Sequence, residues 1–318
     1  MLVKVRWLLM VLPFALWGTA MAAMKPLLVQ AGPLTLAWMR LLPAGLVLLL
    51  AARFWRGGAG VDRRDWWWLL LFALVDATAF QGLLARGLMG TGAGLGSVLI
   101  DSQPLLVALL ARSLFGEAIN PVGWLGLLIG LLAILCLGLP APLLHHWWLM
   151  GPEAFEEQAW SHGELWMLAA ALAMALGTVI SRYACRHSDA VAVTGWHMLL
   201  GGLPLLLSSA LLPAWQADAA PFWPAWSPLE WALMAYAALL GSALAYALFF
   251  WFANHGDLTS FTSLTFLTPV FALLCGVVLL EEQLQPLQWL GALLALVSVV
   301  LINRRALLWH PGLVEEMP

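Results

Sequence analysis

Long apolar runs separated by short polar stretches dominate this chain of 318 residues. A helix needs about 20 predominantly apolar residues to cross the hydrocarbon core of a bilayer. Ten runs approach or exceed that length, so the pattern predicts an all-α polytopic membrane protein. We predict transmembrane helices at residues 7–24, 34–52, 66–84, 88–110, 121–139, 163–181, 190–212, 229–251, 259–280 and 287–303.

The composition agrees with lipid as the main solvent. The chain is 63% hydrophobic and only 10% charged, whereas a soluble domain carries about 25% charged residues. A net charge of −3 gives no electrostatic basis for a nucleic-acid partner. The three cysteines match neither a disulfide framework nor a zinc pattern. We therefore expect no metal and no cofactor.

One motif of five residues occurs twice, with a constant spacing of 165 positions. The spacing indicates an internal duplication. Asn120 and Gln285 each precede the second proline of a copy, which is typical of a helix cap followed by a first helical residue. We interpret the motif as structural. Its members are Pro104, Glu117, Pro121, Trp124 and Gly126 in one copy, and Pro269, Glu282, Pro286, Trp289 and Gly291 in the other.

The half of the chain that contains each copy of the motif has five predicted helices. Because five is an odd number of membrane crossings, the second half enters the membrane in the opposite orientation to the first. The sequence therefore predicts two inverted repeats, a common construction among secondary transporters. We assign residues 1–139 to the first repeat and 163–305 to the second. An outer linker at 140–162 joins them, and a tail follows at 306–318.

The distribution of lysine and arginine predicts the orientation. Basic residues are enriched in cytoplasmic loops, and placing both termini in the cytoplasm puts eleven of the fourteen basic residues on that side. We therefore expect an integral protein of a plasma membrane or a bacterial inner membrane. The eleven are Lys4, Arg6, Arg53, Arg56, Arg63, Arg64, Arg112, Arg182, Arg186, Arg304 and Arg305.

The chain resembles the EamA-type permeases of the drug/metabolite transporter superfamily over residues 8–303. The resemblance implies ten helices in two inverted repeats and the export or exchange of small metabolites by alternating access. The second half departs from the first, because His197 replaces Arg40, Leu176 replaces Trp17 and Ala184 replaces Lys25. Besides the duplicated motif, the resemblance is carried by Trp17, Gly18, Lys25, Pro33 and Arg40.

Two carboxylates are expected near the middle of the membrane. Asp76 lies about ten residues into the predicted third helix, and Asp101 about twelve residues into the predicted fourth. Ionisable groups at that depth suggest function, and a carboxyl group in an apolar cavity takes up a proton readily. One hypothesis is that both share a cavity and couple transport to protons. The other is that each pairs with a cation or a hydroxyl.

Further polar and aromatic residues are candidates for the substrate or proton pathway. Arg40 either extends outward to the interface or pairs with Asp76 or Asp101. His197 lies at the related place in the seventh helix and is either a titrating group or a packing residue. Gln81 is a polar candidate in the third helix. The aromatic candidates for stacking on an organic solute are Trp17, Phe80, Tyr246, Trp251 and Phe266.

These features favour a secondary transporter for a small organic metabolite, with proton-coupled export as the first hypothesis and facilitated diffusion as the alternative. An intramembrane enzyme acting on a lipid-linked substrate is less compatible, because no His and acidic cluster or phosphate-binding loop stands out. A membrane scaffold needs no carboxylates at mid-membrane. The expected partners are the substrate, the lipid bilayer and protons, and a monomer and a homodimer both stay open.

Overall fold

A computed structural model describes residues 2–55, 60–90, 98–138, 162–211, 223–280 and 284–309. Within these ranges the protein is helical without strands, and ten helices are long and apolar enough to cross a membrane. The predicted fold class is thereby confirmed. Glu282 and most of the predicted linker at 140–162 lie outside the described residues.

The transmembrane helices are numbered α1 to α10 in chain order. Several of them change helix type or break within the membrane. The unbroken ones are α1 (Leu2–Ala31), α2 (Pro33–Trp55), α5 (Pro121–Gly138), α6 (His162–Ala184), α7 (Ala190–Leu211) and α10 (Pro286–Asn303). The interrupted ones are α3 (66–90), α4 (98–115), α8 (228–253) and α9 (258–280), and a short α11 (Arg305–Leu308) follows.

The boundary between the third and fourth helices differs from the prediction. α3 continues to Gly90, whereas the described part of α4 begins at Val98. The prediction of a fourth helix starting at residue 88 is therefore wrong. Residues 84–98 contain no acidic residue and one arginine, so the polarity pattern does not mark the turn. Asp101 consequently lies in the first turn of the described part of α4.

The interruptions occupy matching positions of the two halves. α3 has a π-helical segment at Ala73–Ala79, and α8 has one at Leu239–Leu244. α4 breaks at Ser102 just before Pro104, and α9 becomes a 3-10 helix at Ser263–Leu267 just before Pro269. A proline removes a backbone hydrogen bond, which is consistent with these two breaks. Pro13, Pro43 and Pro204 lie inside unbroken helices, so a proline alone does not interrupt a helix here.

α5 and α10 pack along each other through reciprocal contacts. A Cβ atom on Gly126 would lie 2.7 Å from Ile302 Cγ1, and one on Gly291 would lie 2.8 Å from Leu137 Cγ. Gly126 and Gly291 are related by the sequence offset, and so are Leu137 and Ile302. Each contact is therefore the counterpart of the other, as in an interface between two-fold related elements. The glycines allow the close approach that lipid-embedded helices need for packing.

α2 and α7 meet in the same way. A Cβ atom on Gly45 would lie 2.9 Å from Leu199 Cγ, and one on Gly202 would lie 2.8 Å from Leu42 Cδ2. The spacing that matches Arg40 with His197 also matches Gly45 with Gly202 and Leu42 with Leu199. These contacts are therefore reciprocal too. They hold α2 and α7 together beside the π segments of α3 and α8.

The cap positions predicted from the duplicated motif are also confirmed. Asn120 Oδ1 accepts a hydrogen bond from the backbone N–H of Gly123 at 2.9 Å. Gln285 forms a capping box with Gln288 at the start of α10. The second proline of each copy, Pro121 or Pro286, is the first residue of its helix, where a missing N–H does no harm.

Adding a methyl group to Gly291 tests the close approach of α5 and α10. We expect Gly291→Ala to lower the free energy of unfolding by about 1–3 kcal/mol, as for overpacked cores. The backbone carbonyl of Ala133 would lie only 2.9 Å from the new Cβ atom. Thermal unfolding of the purified protein in detergent measures the effect.

Gly82→Ala is the matched control, because its Cβ atom would meet only Leu205 Cδ2 at 3.9 Å. Its unfolding midpoint should equal or exceed that of the parent. Equal midpoints for the parent and Gly291→Ala would show that this packing contact is not limiting.

Candidate functional site

The π segment of α3 carries Asp76, whose carboxylate faces α7. Asp76 Oδ2 lies 3.0 Å from His197 Nε2, and both side chains are buried, with 2% and 1% of their surface exposed. The ring is not aligned for a hydrogen bond, although the distance is that of an ion pair. A residue of each half thus contributes to one buried pair.

Small residues make room for this pair. A Cβ atom on Gly177 of α6 would overlap the Asp76 side chain, and one on Gly201 of α7 would overlap Ala77. Thr78 Oγ1 donates a hydrogen bond to the Gly201 carbonyl at 2.9 Å. The irregular part of α3 is therefore held against α6 and α7 at close range.

Aromatic rings surround His197. The imidazole stacks on Phe72 at 3.9 Å between ring centroids, and Phe250 presents its edge at 5.6 Å. Tyr246 lies 6.5 Å away. Both ring nitrogens of His197 are buried without a hydrogen bond to any described residue. The histidine is consequently shielded from water in this conformation.

Gln81, Tyr246 and Trp17 form the next layer. Gln81 Nε2 donates to Tyr246 Oη at 3.4 Å, and these two residues are 165 positions apart, so related positions touch each other. Trp17 lies 5.1 Å from the Tyr246 ring. The Trp17 indole N–H is buried and finds no acceptor among the described residues. Four of the predicted pathway residues, Asp76, His197, Tyr246 and Gln81, are thus brought together beside Trp17.

Arg40 does not pair with a carboxylate. Its Nη1 lies 3.4 Å from Met24 Sδ, and its buried Nε has no partner in the described part of the chain. The expectation that Arg40 pairs with Asp76 or Asp101 is therefore wrong, because His197 holds Asp76. α2, which carries Arg40, packs against the π segment at Leu239–Leu244 of α8.

Two predicted pathway residues are not shown in contact with the cluster. Asp101 has no hydrogen-bond or ion-pair partner among the described residues. Phe266 is 1% exposed and packs against Gly130 within the core formed by α5, α9 and α10. A polar contact that sequence reasoning missed joins Gln103 Nε2 to Thr178 Oγ1 at 3.3 Å. A glutamine beside Pro104 in an apolar run was the available signal.

At one end of the bundle, which we call the Glu117 end, Glu117 binds the start of α9 in addition to the N-cap residue Asp257. Glu117 accepts hydrogen bonds from Leu258 N at 2.7 Å, Thr259 N at 3.0 Å and Thr259 Oγ1 at 2.8 Å. Gly116 turns the chain towards it with a φ of 67°, a left-handed conformation that favours glycine. The motif's glutamate therefore connects distant helices in addition to ending its own.

Arg182 of α6 extends this network. Its guanidinium lies 3.5 Å from Glu117 Oε1 and donates to the carbonyls of Ala253 at 2.9 Å and Gly256 at 2.5 Å. It also lies over the Phe115 ring at 4.9 Å. The connections after α4 and α8 are thus joined to the end of α6.

Asp65 forms a second link at the Glu117 end. The carboxylate is 2% exposed and accepts from Ser188 Oγ at 2.7 Å and from His187 N at 2.8 Å. Burial raises the pKa of Asp65, but the hydrogen bonds from Ser188 and His187 lower it below its ordinary value. Asp65 therefore stays ionised at neutral pH and holds the start of α3 to the connection between α6 and α7.

Replacing Glu117 tests the network. We expect Glu117→Ala to lower the free energy of unfolding by about 2 kcal/mol or more, because it removes a cap and leaves Arg182 without its anion. Glu117→Gln keeps an acceptor and should lose less. Thermal unfolding in detergent measures both.

Arg182→Gln and the double variant complete a mutant cycle. The two single losses should not add, because both remove the same ion pair. Strictly additive losses would contradict a direct interaction between these side chains.

The sequence is similar to known proteins along nearly its whole length. A model described as the EamA-like transporter family matches residues 6–139 and again residues 161–304. An "Uncharacterized transporter sll0355" of Synechocystis sp. is 48% identical over 304 residues, covering 94% of this chain and 89% of that protein. The "WAT1-related protein At3g02690, chloroplastic" of Arabidopsis thaliana is 43% identical, covering 93% of this chain and 69% of that protein.

A solved crystal structure resembles the fold. It has a TM-score of 0.73 with 20% identity, and the match covers 94% of this chain and 97% of the other. At that identity the likeness concerns the fold alone. It agrees with the helical architecture described above.

Proposed function

The chain belongs to the EamA-like transporter family, and from this membership we propose that it exports or exchanges a small organic metabolite by proton-coupled alternating access. Its relatives are named as transporters, and its ten helices suit a membrane protein. The observation that carries the coupling is the buried pair of Asp76 and His197 between the two halves. The whole chain, in this view, acts as one transport unit.

The proposed architecture is two inverted repeats at 1–139 and 163–305, joined by a linker at 140–162. The family model matches the chain twice, which supports a duplication. The reciprocal contacts of α5 with α10 and of α2 with α7 support a two-fold relation between the halves. The Glu117 end is then cytoplasmic, because its connections carry most of the basic residues.

The proposed state is closed at the cytoplasm. Glu117 and Arg182 bridge helices of both halves at that end, and alternating access requires such bridges to break when the site opens inward. We assign the network the role of an inner gate. Opening it exchanges these charge-assisted hydrogen bonds for contacts with water.

The proton is assigned to the Asp76–His197 pair. With one proton on the pair its net charge is zero, and without that proton the pair is negative. The two states therefore differ in net charge within an apolar environment, so that each favours a different bound ligand or conformation. Substrate movement and proton movement become linked through that difference.

Other titratable and charged groups face the pair from neighbouring helices. α8 presents Tyr246, and α2 carries Arg40. α6 contributes the small residue Gly177 next to Asp76. Asp101 remains a proposed second proton acceptor outside this cluster. Facilitated diffusion without coupling is the alternative.

Transport itself is tested by overproducing the protein and comparing the metabolites released into the medium with those released by cells with empty vector. Each metabolite that rises is then assayed with purified protein in liposomes. We expect saturable flux for at least one compound. Lack of protein-dependent flux for every such metabolite would contradict a transporter.

Asp76→Asn and His197→Gln test the coupling. Asp76→Asn should abolish accumulation driven by a pH gradient while leaving exchange of labelled for unlabelled substrate, because it removes the carboxyl group on which the net charge of the pair depends. His197→Gln leaves that carboxyl group without its partner and should weaken the gradient-driven accumulation. Liposomes with an imposed pH gradient, and the same liposomes without one, separate the two activities.

Asp101→Asn is the comparison variant. Retained gradient dependence in Asp76→Asn and His197→Gln, with loss in Asp101→Asn, would transfer the coupling to Asp101. Retention in all three would remove these residues from the coupling role, whereas a parent protein without gradient-driven accumulation would indicate facilitated diffusion.

A further inference from the structure

The two halves carry different residues at the positions related to Asp76 and His197. Asp76 corresponds to Gly241 at the offset of 165. His197 corresponds to Arg40 at the shorter spacing that also relates Gly45 to Gly202. α7 packs against the π segment that carries Asp76, and α2 packs against the π segment that carries Gly241. Arg40 therefore lies on the helix that packs against the segment of Gly241, just as His197 lies on the helix that packs against the segment of Asp76. Gly241, however, has no carboxylate to pair with Arg40.

The protein cannot supply that carboxylate at Gly241. A Cβ atom there would lie 2.5 Å from Ala20 Cβ, so no side chain fits without a shift of α1 or α8. Within the described residues no carboxylate lies within ion-pair distance of Arg40, and its Nε is buried without a hydrogen-bond partner. The positive charge of Arg40 thus has no counter-charge in the part of the chain that the structure describes.

The guanidinium of Arg40 does not become neutral by losing a proton. A carboxylic acid such as Asp101 becomes neutral by taking up a proton, whereas a guanidinium stays protonated in proteins. Asp76 is already beside His197. An unpaired cation within a membrane helix is unfavourable unless a counter-charge is present. An anionic ligand would supply such a counter-charge.

The surroundings of Arg40 indicate the rest of that ligand. α2, which carries Arg40, packs against the π segment that lies just before Tyr246 in α8, and the Trp17 ring lies 5.1 Å from Tyr246. The Trp17 indole N–H is a second buried donor without an acceptor in the described ranges. Two free donors and two aromatic faces together match a carboxylate on a flat apolar body.

We propose that the substrate is an organic anion, whose carboxylate pairs with Arg40 near Gly241 and whose apolar body packs on Trp17 and Tyr246. This inference rests on the proposed transport function. It assigns selectivity to a residue outside the proton-carrying pair. His197 and Arg40, at related positions, then serve different purposes, since one compensates an internal carboxylate and the other a transported one.

Three probes with the same aromatic body separate the charge requirement from the apolar contacts: phenylacetate, phenylacetamide and phenethylammonium. Equilibrium dialysis with the purified full chain in detergent measures their binding at neutral pH. We expect phenylacetate to bind best and phenethylammonium to bind least. Preference for the cation or the amide, or absence of phenylacetate binding, would overturn the proposal.

Arg40→Gln should weaken phenylacetate binding by about tenfold or more, the loss of one charge-assisted hydrogen bond. Arg40→Lys keeps the charge and should retain part of the affinity. Arg86→Gln is the matched control, because it removes an arginine of α3 that has an interaction of its own. Unchanged affinity in Arg40→Gln, or equal losses in Arg40→Gln and Arg86→Gln, would also overturn the proposal.

The binding assay requires neither flux nor a gradient, so its outcome is distinguishable from that of the transport assays. Arg40-dependent binding of phenylacetate without any metabolite flux would remove the transport function and leave an anion site. Saturable flux of organic cations alone would keep the transport function and remove the anion site.

Discussion

The hydrocarbon core of a bilayer offers no hydrogen bonds, and this constraint shapes the structure most. Backbone groups inside it must be satisfied by the helix itself or by neighbouring parts of the protein. Four of the membrane helices nevertheless change type or break, at 73–79, at Ser102, at 239–244 and at 263–267. These irregular segments are possible because they pack within the bundle. The segment of α3 carries Asp76, so the least regular backbone and the most deeply buried charge of α3 occur together.

In the proposed two-repeat architecture, the packing contacts are symmetric but the polar residues are not. The contacts of Gly126 and Gly291 are counterparts, which is what two related halves produce when their equivalent helices meet. The polar residues are not counterparts in the same sense, because Asp76 corresponds to a glycine and His197 to an arginine. Asp76 and His197 therefore form a buried ion pair, whereas Arg40 has no carboxylate at the related position, Gly241. The proposed proton coupling and the proposed anion selectivity both arise from this difference.

At the Glu117 end, a residue of the duplicated motif makes contacts with residues that are distant in the sequence. Glu117 terminates its own helical hairpin, yet its oxygens bind the first residues of α9, which are 141 positions away. Arg182 then joins the same carboxylate to the connection that follows α8. Charge-assisted hydrogen bonds of this kind are strong but exchange readily for water when an end opens. The network is therefore suited to a gate, which has to hold and to release.

The sequence by itself determined the helices and the duplication, because lipid requires long apolar runs and a constant offset survives in the residues. It also identified Asp76, His197, Tyr246 and Gln81 as candidates, since polar groups stand out in such runs. Only the tertiary structure decided the partners. Arg40 was one candidate partner of Asp76, but the rotation of each helix about its axis places His197 there instead. The start of the fourth helix was misjudged because the glycine-rich stretch before α4 has no polarity change to mark a turn. Apolar periodicity is weak in helices surrounded by lipid, so which face meets which neighbour is settled by packing between small residues far apart in the chain.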